Sequence, residues 1–273
     1  MTWTFTDDVG VFLDAAGASL AARPAENTLV LTVTATLRHS GPHAYGEGTP
    51  LLGWWRGVDG EVAGTLVRTP PFVPILGTVA PEAIGPLAEA VPLPGINADR
   101  ATAEALASRW PDHRVDEEHR LYRLRELAPP SPAPAGSPRT ATGADRALLV
   151  DWFRAFGEET GQSGDRAERI VDDRTSHGGL TVWEDDGVPV SMAGVSRSIA
   201  GTVRVATVYT PPEHRGRGYA AAVTAEVSRA ARAAGAEEVL LFTDLANPTS
   251  NGVYRRIGYE ALSDRLLITA EPK

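Results

Sequence analysis

In the second half of the chain, apolar and polar positions alternate with two distinct periods. Leu180 to Glu184 and Val188 to Ser198 read as strands, joined across Asp185-Asp186-Gly187, a sequence suited to a tight hairpin turn. Thr202 to Thr210 carries Thr202, Val203, Val205, Thr207 and Val208, whose branched Cβ atoms favour an extended chain. Gly218 to Ala234 is alanine-rich and predicts a long helix, stopped at Gly235, a residue free to take the left-handed conformation of a helix end. Val239 to Thr243 is short and apolar, as expected of a strand buried on both faces. Helical spacing also marks Asp145 to Glu159, Asp165 to Thr175 and Thr249 to Arg256, and Arg265 to Thr269 reads as a last strand. The predicted order is ααβββαβαβ.

The first half is less regular. A helix is predicted over Asp8 to Ala22, and Asn27 to Arg38 alternates (Leu29, Leu31, Val33) as a strand would. Leu51 to Arg56 and Glu61 to Arg68 flank Val58-Asp59-Gly60, a hairpin signal. Pro81 to Val91 and Asp99 to Trp110 read as helices, and His119 to Leu127 as a closing strand. Trp54-Trp55 would send one indole to each face of its strand, one into the core and the other toward a partner surface or substrate. Between the halves, residues 129–138 hold five prolines, which remove backbone donors and forbid helix. This stretch is either a semi-rigid linker or a long surface loop within one domain. The linker reading divides the chain into 1–128, 129–138 and 139–273.

Composition narrows the chemistry. Acidic residues number 35 against 26 basic, a net charge of −9 that repels a phosphate backbone and argues against nucleic acid. There is no cysteine, hence no disulfide framework, thiolate metal site or cysteine nucleophile. Met1 to Val11 lacks the basic start of a secretory leader, and no apolar run approaches the roughly 20 residues of a membrane span. A cytoplasmic protein with no membrane partner is the expectation. The six histidines show no ligand spacing, so no metal site is expected; His214 alone lies near the motif described next.

That motif is Glu213-His214-Arg215-Gly216-Arg217-Gly218-Tyr219-Ala220, set between the strand ending at Thr210 and the long helix. Two glycines let the chain take dihedrals a Cβ resists, and successive amides at a helix N-terminus attract an anion. Arg215 and Arg217 add positive charge. No Gly-Lys-Ser/Thr follows, and the Gly-x-Gly-x-x-Gly spacing is missing, so neither a Walker loop nor a dinucleotide fingerprint is present. On these grounds alone the loop is either a phosphate cradle or a tight structural turn.

In context the stretch resembles the GNAT superfamily of acyl-CoA N-acyltransferases. Arg215, Gly218 and Ala220 match its Gln/Arg-x-x-Gly-x-Gly/Ala loop in register. Phe242 to Asn251 followed by Val253-Tyr254-Arg255-Arg256-Ile257-Gly258-Tyr259 is similar to its second signature of strand, Asn, short helix with Tyr, Gly and aromatic. The resemblance implies a mixed-sheet α/β (α+β) GNAT fold in the C-terminal half. By element order alone, the N-terminal half looks like a degenerate copy, as in tandem acyltransferases; an unrelated α/β domain is the other reading.

It also implies acetyl-CoA, or another acyl-CoA, as cofactor, and direct transfer to a primary amine of a small molecule or protein through a ternary complex. Backbone groups of Val208, Tyr209 and Thr210 would pair with the pantetheine arm. Arg215, Gly216, Arg217, Gly218, Tyr219 and Ala220 would hold the pyrophosphate. Asn247 and Asn251 fall where the family contacts the arm, although Asn247 before Pro248 equally suits a helix cap. Tyr254 is the candidate general acid, or else a tyrosine packing the short helix on the sheet. The strand from Thr202 to Thr210 lacks the carboxylate some relatives carry; Glu213, Asp244 or a water chain remain as routes for the amine's proton. A non-catalytic acyl-CoA sensor or regulatory module would use the same loop.

Overall fold

The computed structural model describes residues 2–161 and 164–271. The first half of the chain forms β1 (Trp3–Thr6), α1 (Val9–Ala22), α2 (Thr28–Ser40), β2 (Leu51–Arg56), β3 (Val62–Arg68), β4 (Ile75–Val79), α3 (Pro81–Ala90), β5 (Gly95–Asp99), α4 (Arg100–Ala107) and β6 (His113–Leu124). The second half forms β7 (Ser137–Thr140), α5 (Arg146–Thr160), α6 (Ala167–Ser176), β8 (Leu180–Asp185), β9 (Val188–Val195), β10 (Thr202–Tyr209), α7 (Tyr219–Ala233), β11 (Glu238–Asp244), α8 (Pro248–Arg256) and β12 (Tyr259–Ala270). Short 3-10 turns aside, both halves run βααβββαβαβ. The mixed α/β fold expected from the sequence is present, and the order foreseen for the second half is observed after an initial strand that was not foreseen.

The chain makes two compact units. One comprises 1–121, 244–246 and 262–273, and the other 122–243 and 247–261. In the first the strand order is β1-β2-β3-β4-β5-β12-β6; in the second it is β7-β8-β9-β10-β11-β6-β12. Each unit therefore completes its sheet with a strand segment from the opposite half of the sequence. Among the described residues no helix is long and apolar enough to cross a membrane.

In the first unit α2 replaces the expected strand. Its buried residues are Thr28, Val30, Leu31, Val33, Thr34 and Leu37, the three-and-four spacing of a helix face, which the i, i+2 reading of Leu29, Leu31 and Val33 overlooked. The β-branched residues are accommodated because Thr32, Thr34 and Thr36 donate their hydroxyls to the carbonyls of Thr28, Val30 and Thr32, at 2.7, 2.8 and 2.9 Å. Strands β1, β4 and β5 were not anticipated; they are only four or five residues long. Both tryptophans of β2 are buried, Trp55 in the main cluster with Leu66, Leu76, Ile96 and Leu106, and Trp54 against Phe12 at 6.4 Å between ring centroids. Neither is left to meet a substrate.

The second unit packs both faces of its sheet. Leu149, Phe153, Val171, Leu180, Val182 and Met192 form one cluster with α5 and α6. Val190, Val205, Val223, Val227, Leu241 and Tyr259 belong to the other, where α7 lies. Val190 and Met192 of β9 belong to different clusters although two apart, because strand β9 is irregular where it meets its neighbours. On α7 the buried set Tyr219, Ala222, Val223, Val227 and Ala231 repeats every three or four residues, which fixes the helix head beside the end of β10.

A candidate cofactor site at the end of β10 and the head of α7

The site begins where β10 leaves its neighbours. The parallel ladder between β10 and β11 runs over Thr202–Val205 and Glu238–Leu241 and stops there. On the other side, pairing with β9 shifts register between Ala206 and Tyr209. Thr207 within this bulge has φ +62°, a left-handed conformation unusual for a β-branched residue. The segment after it is pinned by buried Ser191, whose hydroxyl donates to the Tyr209 carbonyl at 3.0 Å and lies 2.8 Å from Thr210 Oγ1. The bulge thus turns the main chain of Val208, Tyr209 and Thr210 away from regular pairing with β11.

Pro212–His214 then forms one 3-10 turn, and the loop enters α7 through Gly216 (φ +76°) and Gly218 (φ +86°, ψ 0°). Nothing lies within 4 Å of a Cβ built on Gly216, and only Pro134 comes as close as 3.9 Å at Gly218. Glycine is needed here for its backbone freedom, not for room. Gly218 is the N-cap of α7 and supplies no side chain to cap it. Among the described residues, the amides of Gly216, Arg217, Gly218, Tyr219, Ala220 and Ala221 have no protein acceptor; the first helical bond is from Ala222 to the Gly218 carbonyl, 3.1 Å. A row of unfilled donors at the positive end of a 15-residue helix is what a diphosphate requires.

The side chains around this row differ from expectation. Arg215 is not a free charge: its Nη2 donates to both carboxylate oxygens of Glu159 at 2.6 and 2.8 Å, and its Nε to the Thr210 carbonyl at 2.9 Å. Its guanidinium also lies 5.9 Å from the centre of the Tyr209 ring. Arg215 therefore braces the loop against α5 and β10, while exposed Arg217 donates weakly, at 3.3 Å, to the Glu213 carbonyl and also reaches the Tyr219 hydroxyl. Tyr219 is buried and gives its hydroxyl proton to Asp185 at 2.5 Å, a bond that raises its pKa. Asp185, read as turn chemistry, thus also anchors α7.

Asn247 caps α8, accepting the Ser250 amide at 3.0 Å. Asn251 is buried; its Nδ2 donates to the Asn247 carbonyl at 2.7 Å and its Oδ1 accepts from the Tyr122 hydroxyl at 2.9 Å. Both ends of its amide are engaged within the protein. Tyr254, one turn on, is half-buried with its ring 6.2 Å from that of Tyr259, edge to face. Burial pushes its phenol up to about 12, so it stays protonated through neutral pH. Glu213 is exposed on the 3-10 turn, and Asp244 closes β11 with its carboxylate accepting the Ala246 amide at 2.7 Å. His214 Nδ1 is buried without a hydrogen-bond partner among the described residues. No group of three or more His, Cys, Asp or Glu comes together as a metal set among them.

Glu159, which reads from the sequence as an acid on a solvated helix end, is instead paired with Arg215, and two further contributors, Ser191 and Tyr122, carry no mark in the sequence. Each acts on a residue between 18 and 129 positions away, so no local pattern could mark it. The first unit offers a contrast. There β4 and β5 meet in parallel through one pair, Ile75 and Asn97, and buried Arg265 of β12 bridges them. Its guanidinium donates to Leu76 O (2.9 Å), Asn97 O (2.8 Å) and Asn97 Oδ1 (3.0 Å). The amide of Thr78 is taken by Asn27 at 2.8 Å and that of Ala80 by Ala63 at 2.7 Å. Strand ends that stand open in the second unit are occupied by protein in the first.

Residues 146–259 match the model of the acetyltransferase (GNAT) family. No curated protein matches the chain by sequence. Among solved structures, a GNAT-family acetyltransferase from Colwellia psychrerythraea is similar over 99% of this chain and 100% of its own, with TM-score 0.65 and 10% identity. A GCN5-related N-acetyltransferase from Sphaerobacter thermophilus is similar over 99% and 96%, with TM-score 0.62 and 18% identity. A third, from Kribbella flavida, covers 77% of this chain and 88% of its own at TM-score 0.55 and 19% identity. These likenesses extend the fold to both halves of the chain. Strand bulge, glycine loop and helix head all lie inside the matched segment, and residues 146–259 are a domain of the GNAT acetyltransferase family.

Proposed function

We propose that the second unit binds acetyl-CoA, or another acyl-CoA, and transfers the acyl group directly to a primary amine. The observation that carries this reading is the run of six unpartnered amides, Gly216 to Ala221, at the head of α7 beside the bulged end of β10. Gly216, Arg217, Gly218, Tyr219 and Ala220 would hold the diphosphate through main-chain N–H groups, with Arg215 fixing the loop. Val208, Tyr209 and Thr210 would present main-chain groups to the pantetheine amides, as an edge strand does to an added strand. Asn247 and Asn251, at the start of α8, would stand beside the pantetheine arm. The first unit would be the silent copy and the second the acting one, with residues 129–138 leading into the acting copy, in a cytoplasmic protein with no nucleic-acid or membrane partner.

When bound, acyl-CoA would supply a thioester-activated acyl group. In the transfer the amine forms a C–N bond, the C–S bond breaks, and one proton must reach sulfur while another leaves nitrogen. Tyr254 holds a proton through neutral pH and, lacking a protein partner for its hydroxyl among the described residues, is free to give it to the departing sulfur. The amine's proton passes to water, since β10 offers no carboxylate from Thr202 to Tyr209. That same lack favours the second reading, an acyl-CoA sensor that does not turn over.

Calorimetry with CoA and a thiol-release assay over a panel of small amines and lysine peptides separate the two. Binding with thiol release supports transfer. Binding with silence for every amine supports the sensor, and no binding of CoA removes both.

A further inference from the structure

We propose that Arg174 is a positioning residue for acyl-CoA: laid across Gly194, its guanidinium holds the Ala206 carbonyl and so sets the bulge that turns Val208–Thr210 toward the cofactor. This rests on the acyl-CoA reading above. Arg174 lies in the last turn of α6, where its own carbonyl accepts the amides of His177 at 3.3 Å and Gly179 at 2.8 Å. A cation suits that end of a helix. From there Nη1 donates to Ala206 O at 2.8 Å, directly before left-handed Thr207.

Gly194 of β9 is the register partner of Ala206, and a Cβ built on it would stand 2.0 Å from Arg174 Nη1 and 2.8 Å from Ala206 O. Only a residue without a side chain leaves that path to the carbonyl. Phe153 lines the guanidinium, 5.6 Å from its ring centre, and no carboxylate reaches it within ion-pair distance among the described residues. Burial pulls its pKa down to about 10, with Arg204 adding repulsion. A half-buried guanidinium that meets a single carbonyl and no carboxylate returns little to stability alone. Its placement at the strained turn accounts for it: without a donor there, the peptide after Ala206 is free to return to regular pairing.

The test compares the full-length protein with Arg174→Met, which keeps the stem and removes the donors, and with Gly194→Ala, which keeps Arg174 but blocks its path. Arg197→Ala, removing an exposed partner of Asp173, is the control. Hydrogen exchange of the amides from Thr207 to Thr210 is read without ligand, and CoA affinity by calorimetry. Loss of one charged hydrogen bond predicts exchange at least about tenfold faster at these amides and CoA binding about tenfold weaker in both variants. KM for acyl-CoA should rise with kcat within about threefold, and in a third variant, Arg174→Ala, which leaves room for the ion, millimolar guanidinium should restore CoA affinity in part. A merely structural arginine would lower folded yield and kcat together and leave KM alone. Unchanged exchange, or faster exchange with unchanged CoA affinity, overturns the proposal. If the wild type itself fails to bind CoA, the acyl-CoA reading falls instead, and exchange alone then judges the clamp.

Discussion

Replacing Gly218 with alanine isolates the amide row from everything else in the fold. The residue sits at φ +86°, and an alanine Cβ would meet nothing nearer than Pro134 at 3.9 Å. The cost is therefore backbone strain, about 1–2 kcal/mol for an L-residue in the left-handed region. For a chain of this size that lowers Tm by about 2–8 °C. Relief of the strain rotates the peptides on either side, which carry the amides of Gly218 and Tyr219. Each charge-assisted N–H to phosphate oxygen is worth about 1.5–3 kcal/mol. Misaligning two of them, even partially, weakens CoA binding at least tenfold and up to about a thousandfold. Gly235 is the matched control: φ +93°, with nothing within 4 Å, just past the far end of α7 from the Gly216–Ala221 row. Titration calorimetry at fixed salt, with thermal melts alongside, reads both effects. Gly218→Ala should lose CoA affinity while Gly235→Ala loses only stability. Equal affinity losses in the two, or none at Gly218, would refute the cradle.

Three further outcomes follow from the same geometry. Tyr254→Phe should lower kcat about 100-fold with the CoA dissociation constant unchanged. Because the folded phenol lies near 12, above its ordinary 10.0, it remains an acid as pH passes 10, so wild-type kcat should not fall there on its account. Over about pH 10–12 the unfolded chain loses that proton first, so denaturant stability declines, and the Phe variant should decline less. Asp145, which accepts from Arg139 (2.8 Å to each oxygen) and the Thr142 amide (2.7 Å), has its pKa lowered from 3.8 to about 2, first by Arg139. Its stabilisation is complete above about pH 4 and lost as pH falls toward 2; Asp145→Asn should cost about 1–3 kcal/mol at pH 7 and flatten that acid limb in urea melts. Glu159→Gln removes a negative charge beside the amide row while its amide oxygen still accepts from Arg215 and keeps the brace, so CoA should bind about two- to fivefold more tightly at low salt, with the gain gone at high salt; tighter binding that ignores salt would point to another cause.

Some of this protein follows from sequence alone. The glycines at 216 and 218 and the helix after them mark a left-handed turn into a helix head because backbone dihedrals and helix ends are local properties, set within a few residues. The second half was legible for the same reason: its strands and helices carry their own periods, and hairpin and stop residues sit at their ends. The first half was less so. α2 is built from residues with strand preferences, and only burial on one helical face together with threonine hydroxyls bonded one turn back decides it. Short strands such as β4 and β5 have too few positions to show a period and take their identity from their neighbours.

What the sequence could not determine is which charges and amides are already taken. Arg215 looks like a phosphate ligand until Glu159, 56 residues earlier, arrives beside it. Asn251 looks available until Tyr122 meets it, and Arg174 has no apparent task until β10 passes beneath its guanidinium. Nor does any local pattern show that β6 and β12 each complete the sheet of the opposite half. These are long-range pairings, made only when strands and helices distant in sequence are packed, and they decide which of the marked residues remain open to a ligand.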